Sequence, residues 1–312
     1  MTETVNTASG SRVERLSEKL QSSWKAVVIA VPYIWLLIFF LAPFFMVLKI
    51  SLAESVYAQP PYTPLFQWVS EGVLAVRIVF DNFVFLWEDN LYLDTYLSSI
   101  KISSVSTVLC LLIGYPIAYG IVRSSPVARN IFLLMVILPF WTSFLLRVYA
   151  WMGLLADQGT INSLLIWLGI IDTPIRMLYT EFSVYVGIVY TYLPFLILPL
   201  YANMEKLDIS LLEAAADLGA KPAVTFLTVT LPMTIPGIIA GSLLVCIPAT
   251  GEYVIPDLLG GGNVQMIGRV LYNEFTANTD WPVASAVAIV LLLVLVLPMM
   301  LYQHIQSKES ES

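Results

Sequence analysis

Six apolar runs, each close to the roughly 20 residues that a helix needs to cross a hydrocarbon core of about 30 Å, limit this chain to one kind of architecture. They lie at approximately 27–48, 100–122, 131–155, 183–201, 235–255 and 283–302. Inside a bilayer each backbone N–H and C=O must find its partner within the protein, which leaves helices for apolar runs of this length. Composition agrees, with 58% hydrophobic and only 12% charged residues in 312. The expectation is an all-α polytopic membrane protein with six transmembrane helices. Its spanning domain occupies 26–305, between a polar tail at 1–25 and a short polar tail at 306–312.

Charge sets the orientation. Residues 1–25 carry Arg12, Arg15, Lys19 and Lys25, no small-residue cleavage site follows, and the first run is too long for a signal-peptide core. The chain therefore reads as anchored without cleavage, its N-terminus in the cytoplasm. With that end inside, the inner segments hold nine basic residues, adding Arg123, Arg129, Lys206, Lys221 and Lys308, and the outer segments hold Arg77, Arg176 and Arg269. Both termini and the segment 208–232 are then cytoplasmic. The outer segments carry twelve acidic residues against those three. Such a vestibule attracts cations over a Debye length of about 8–10 Å, although the exclusion of basic residues alone produces the same bias. The longest outer segment, 51–98, combines Pro60-Pro61 with Phe80, Phe83, Phe85 and Trp87, and fits either a cap on the bundle or a docking surface for a soluble partner.

Several functions are excluded by what is missing. The sequence has no GxxxxGK[ST] loop, its two cysteines (Cys110 and Cys246) fall on different runs, and His304 is its only histidine. No catalytic site, metal site or bound cofactor is expected, nor is a nucleic-acid partner. Energy for active transport would come from another subunit or an ion gradient.

The segment 208–232 lies between two spans yet has the marks of tight folding. Ser210 with Glu213 matches a capping box, Gly219 suits a left-handed helix end, and Lys221-Pro222 restarts a helix. A helical hairpin results, with Leu211, Leu212, Ala215 and Leu218 as an apolar face suited to a partner's groove. Glu213-Ala214-Ala215, then Gly219, then Val229, Leu231 and Pro232, resembles the extended EAA motif of the membrane subunits of ABC importers. Val229 replaces the more frequent isoleucine. The resemblance implies the type I ABC importer permease fold, with this hairpin as the coupling helix. Glu213, Ala214, Ala215, Gly219, Leu218 and Leu212 would then meet a dimer of ATP-binding subunits, which hold ATP and Mg. A sister permease would complete a heterodimer, and closure of the ATPases would drive alternating access.

Two stretches bear on what is carried. The third run reads P-F-W-T-S-F-L-L-R-V-Y-A-W-M-G and places Arg147 about 24 Å across the membrane if the helix is continuous. The fifth ends in P-A-T-G-E-Y-V-I-P-D-L-L-G-G-G, where Pro248, Gly251 and Pro256 break the helix around Glu252. An intramembrane carboxylate needs a partner, and two are open. Glu252 either pairs with Arg147, as a structural or gating charge, or faces the lumen and meets a cationic substrate. Tyr190 and Tyr192 fall in mid-span, where a hydroxyl also needs a partner. Trp141, Tyr149, Trp151, Tyr190, Tyr253, Glu252 and Asp257 supply the aromatic faces and carboxylates that suit a chain of ammonium groups, although interfacial or packing roles suit each aromatic too. The R-V-Y-A-W-M-G and G-E-Y-V-I-P runs resemble the polyamine (putrescine/spermidine) branch of ABC importer permeases, most closely its putrescine members. That implies polyamine cargo delivered by a periplasmic binding protein. An ABC permease for another solute and a secondary cation transporter remain the competing readings.

Overall fold

The computed structural model describes residues 27–70 and 73–311, without the side chains of 66–76, 297–298 and 301–311. The basic residues of the first tail, and the side chains of His304 and Lys308, lie outside that description. Helix α1 (Val27–Ser51) leads the chain. It widens to a π-helical turn at Leu37–Leu41, where Pro43 has no N–H to offer the preceding turn.

The next segment departs from the all-helical expectation. Phe66–Ser70 (β1) and Val73–Val76 (β2) pair antiparallel, where prolines 60, 61 and 64 interrupt helix and aromatic or β-branched residues follow. Helix α2 (Asp81–Glu88) is pinned to the end of α1. Asn82 Nδ2 donates to the carbonyls of Ser51 at 2.9 Å and Ala53 at 2.8 Å, satisfying acceptors that the end of α1 leaves free. Leu86 of α2 joins Tyr92, Tyr96, Ile267, Val270 and Val283 in a buried cluster, so the segment packs against the bundle.

Helix α3 (Asn90–Val122) has 33 residues, about 50 Å of helix for a core of about 30 Å, so its polar first turns project beyond the bilayer. The third run is not one helix. Pro126–Trp141 (α4) and the stretch from Phe144 meet at a break bent by 92°. The second arm consists of α5 (Phe144–Leu155) and α6 (Thr160–Trp167). Helix α7 (Glu181–Met204) leads to the short α8 (Ile209–Asp217), and α9 runs from Pro222 to Thr250. An irregular elbow, Gly251 to Met266, precedes α10 (Ile267–Thr276) and α11 (Trp281–Glu311). Helices α1, α3, α7 and α9 are each long and apolar enough to cross a membrane, and the bent pair is a fifth crossing if taken as one span. In α11 the apolar stretch Trp281–Val296 is shorter than those four. The six expected runs thus correspond to four straight helices, one broken one and α11.

Helices α3, α7 and α9 pack on one another at the centre. Toward the α8 end their core holds Cys110, Ala118, Leu196, Ile197, Leu200 and Val245. At the opposite end the elbow fills the middle, with Ile255, Leu259 and Met266 fully buried among Ile102, Val148, Val184 and Ile188. Gly187 makes this possible. A Cβ there would lie 2.6 Å from the Leu259 side chain and 2.8 Å from that of Ile255, so any larger residue would force those side chains of the elbow to shift.

Candidate functional site

The α8 hairpin is built by local rules. Its N-cap is Asp208, two residues before the expected Ser210, and the Asp208 carboxylate accepts from the Ser210 N–H at 2.9 Å. That backbone hydrogen bond holds the Asp208 carboxyl below its ordinary value. Ser210 lies inside the first turn, so the expected capping box is not formed. The C-terminus follows the expectation. Gly219 has φ +80°, its N–H donates to Ala216 O at 2.8 Å, and the Ala220 N–H reaches Ala215 O at 3.0 Å. These are the two bonds of a Schellman end, which consume carbonyls the helix leaves unpaired. Pro222 then starts α9, which has 29 residues. It is longer than a span requires, and its first residues, 222–224, are exposed as most of α8 is.

The expected apolar face of the hairpin splits in two. Leu212 and Ala215 are half-buried, whereas Leu211, Ala214 and Leu218 are exposed, Leu218 by 88%. Helical spacing explains the division, since 211 and 218 are two turns apart on one stripe and 212 and 215 lie on the neighbouring one. Glu213 is exposed and takes part in no ion pair among the described residues. The hairpin therefore leaves leucines and small residues uncovered, on an element capped at both ends.

The second site lies in the elbow. Glu252 is only 9% exposed. Its Oε2 accepts from the Tyr192 hydroxyl at 2.6 Å and its Oε1 from the Val254 N–H at 3.1 Å. Tyr192 is the twelfth of 24 residues in α7, so the carboxylate sits about halfway along a spanning helix. Phe195 lies 6.0 Å from the Tyr192 ring, and Phe140 lies 5.1 Å from Phe195, edge to face.

The expected pair of Glu252 with Arg147 is not formed. Arg147 lies on α5, beyond the 92° break at Thr142-Ser143, so its position no longer follows from counting along a straight span. Its guanidinium sits over Phe140 at 5.6 Å and Phe144 at 5.9 Å, and its buried Nε has no acceptor among the described residues. The other pathway candidates fall into separate places. Trp151 and Tyr190 meet edge to face at 5.4 Å. Tyr253 stacks on Tyr272 at 4.7 Å. Asp257 pairs with Arg269 at 3.0 Å, off the line of the N–H, while Arg269 also donates to the Gly261 carbonyl and so staples the elbow. Trp141 is 74% exposed and Tyr149 is exposed as well. Sequence reasoning did not single out Phe140, Phe144 or Phe195. The available signals were Phe195 one helical turn after Tyr192, and Phe140 between Pro139 and the Thr-Ser break.

An apolar bundle with a protruding capped hairpin and a charged, irregular elbow at membrane depth defines a multi-pass transport component. The chain belongs to the family of binding-protein-dependent transport system inner membrane components, whose model matches residues 110–310. It is 40% identical over 287 residues to the spermidine/putrescine transport system permease protein PotB of Haemophilus influenzae, across 91% of this chain and 94% of that protein. PotB of Escherichia coli is 43% identical over 229 residues, 73% of this chain and 83% of the relative. In fold, the chain is similar to a bacterial ABC transporter that imports alginate, with TM-score 0.65 at 20% identity over 94% of this chain and 99% of that one. The MetNI methionine ABC transporter gives TM-score 0.52 at 15% identity, over 68% and 93%. The protein is thus an inner-membrane permease component of an ABC importer, the class that the EAA-like spacing implied.

Proposed function

We propose that this permease carries polyamines, putrescine and spermidine, from periplasm to cytoplasm by alternating access, powered by ATP hydrolysed on a separate subunit. The coupling part rests on the α8 hairpin. A Schellman-capped helix that leaves Leu218 88% exposed is a ready insert for a groove on an ATP-binding subunit. Glu213, Ala214, Ala215, Leu212 and Gly219 shape that insert, with ATP and Mg on the partner dimer. Both termini and the hairpin are cytoplasmic in this reading, and a sister permease completes the pore. The polyamine part rests on the extent of likeness to proteins named as spermidine/putrescine permeases, 91% of the chain in one case.

A periplasmic binding protein delivers the cargo to the face opposite the hairpin. That face carries a cavity of about 690 Å³ between residues 55–61 and 278–280, lined by Tyr57, Gln59 and Asp280 among others. The test is to reconstitute the permease with its sister, ATPase and binding protein in liposomes and to follow labelled putrescine and spermidine in parallel. ATP-dependent accumulation of either supports the reading. Uptake that is indifferent to ATP would favour a secondary transporter, and ATP hydrolysis stimulated only by an unrelated solute would reassign the cargo.

A further inference from the structure

We propose that Glu252 and Tyr192, at the end of an aromatic run through Phe195 and Phe140, form a membrane-embedded receptor for one primary ammonium group. The proposal deepens the polyamine reading and rests on it for the identity of the cargo.

The carboxylate is incompletely coordinated. An ionised carboxylate offers about four acceptor positions, and Glu252 uses two, one for the Tyr192 hydroxyl and one for the Val254 N–H. Neither donor brings a charge. The four ion pairs among the described residues employ Glu54, Glu181, Glu205 and Asp257, and none involves Glu252. A carboxylate that is 9% exposed, halfway along a spanning helix and without a cation calls for a positive group from outside the chain.

The surroundings say which kind. Phe195 and Phe140 continue from Tyr192 at ring separations of 6.0 and 5.1 Å, and the far end of that run already carries a cation, the Arg147 guanidinium 5.6 Å from Phe140. Aromatic faces that hold one organic cation suit another. A single carboxylate and a phenol supply too few oxygens for calcium or magnesium, which take six or more, and no group of three metal-ligating side chains occurs among the described residues. An alkylammonium fits this donor set. Its three N–H donors match the free lone pairs of Glu252 and the oxygen of Tyr192, and its methylenes lie along Phe195 and Phe140.

Glu252→Gln keeps the shape and removes the charge: its amide oxygen still accepts the Val254 N–H, while its NH2 donates to the Tyr192 oxygen and so reverses that hydrogen bond. In the complete reconstituted transporter we expect it to reduce putrescine uptake about tenfold or more, the loss that a charge-assisted contact carries. ATP hydrolysis stimulated by loaded binding protein should stay within about twofold, and Glu252→Asp should recover part of the uptake. Wild-type uptake by Glu252→Gln would overturn the proposal. So would an equal loss of uptake and stimulated hydrolysis, because the Glu252–Tyr192 bond would then serve folding alone. A second arm does not depend on the cargo. Thermal melting of the purified transporter with n-butylammonium should show a stabilisation that Glu252→Gln abolishes, and its absence in the wild type overturns the site even if polyamines are carried. Stabilisation by n-butylammonium in a transporter that accumulates no polyamine would uphold the site and reject the cargo assignment.

Discussion

The hairpin and the elbow are both irregular interruptions of a helical membrane protein, and they are held by opposite means. The α8 hairpin is almost wholly exposed, and its shape comes from contacts no more than five residues apart: Asp208 with Ser210, Gly219 with Ala216, Ala220 with Ala215. The elbow is buried, and its shape comes from residues far away in sequence. Ser183 donates to the Leu259 carbonyl at 2.8 Å, Ile267 N–H donates to Ser99 at 2.7 Å, and Tyr192 reaches Glu252. The exposed element is held in shape by its own chain. The buried element is shaped by the helices around it.

The largest effect should come from Gly187→Leu. Its side chain would occupy the space that Leu259 and Ile255 fill, undock the elbow, and cost about 1–3 kcal/mol or more of stability. Membrane accumulation, measured by immunoblot, and uptake should fall together. If the variant accumulates and transports normally, the elbow is not held as described. Gly219→Asp should divide these readouts. A Cβ at Gly219 meets nothing within 4 Å, so its cost is the left-handed backbone, roughly 1–2 kcal/mol, plus a new charge beside Leu218. Accumulation should be normal and ATP-driven uptake lost. Coupled transport by this variant would remove the hairpin from the power train.

The same contrast explains what could be read in advance. Gly219 and Lys221-Pro222 mark the hairpin because helix ends are decided by a few neighbouring residues. Even the miss there was small: Asp208 and Ser210 are both good capping residues, and the one whose carboxylate reached a backbone N–H took the role. In the elbow, Pro248, Gly251 and Pro256 gave away the break but not the destination of Glu252. That depended on Tyr192, sixty residues earlier, and on the bend at Thr142-Ser143, which turns Arg147 toward Phe140 and Phe144. No proline or glycine stands at that bend, and Pro139 precedes it by a turn. The β-hairpin of the outer segment was missed for a similar reason, its residues being overshadowed by the prolines before them.

Leu218→Ser probes the hairpin without touching its fold. The side chain is 88% exposed, so the permease should accumulate and melt as before. Burying a leucine in a partner's groove contributes about 1.5–3 kcal/mol, so affinity for the ATP-binding subunit should drop by about ten- to a hundredfold in a pull-down titration. Undiminished affinity would place the contact elsewhere on the hairpin, on Leu211 or the alanines.

The smallest effect should be a titration. The Asp208 carboxyl is held below its ordinary value of 3.8 chiefly by the Ser210 backbone N–H. A depressed carboxyl stabilises the fold fully above the unfolded value and ceases to do so as pH falls through the folded one. The hairpin cap is therefore complete at neutral pH and should loosen only in acid, below about pH 4. A spin label at Ala216 should report slightly greater mobility there in the wild type, and no such step in Asp208→Asn, whose amide oxygen caps without titrating. The label should be insensitive to Glu252→Gln, because the elbow and the hairpin share no hydrogen bond among the described residues. Loosening of the hairpin by that distant change would mean that the two regions are coupled through α9, the helix that joins them, and would replace the picture of two separately held elements with one continuous lever.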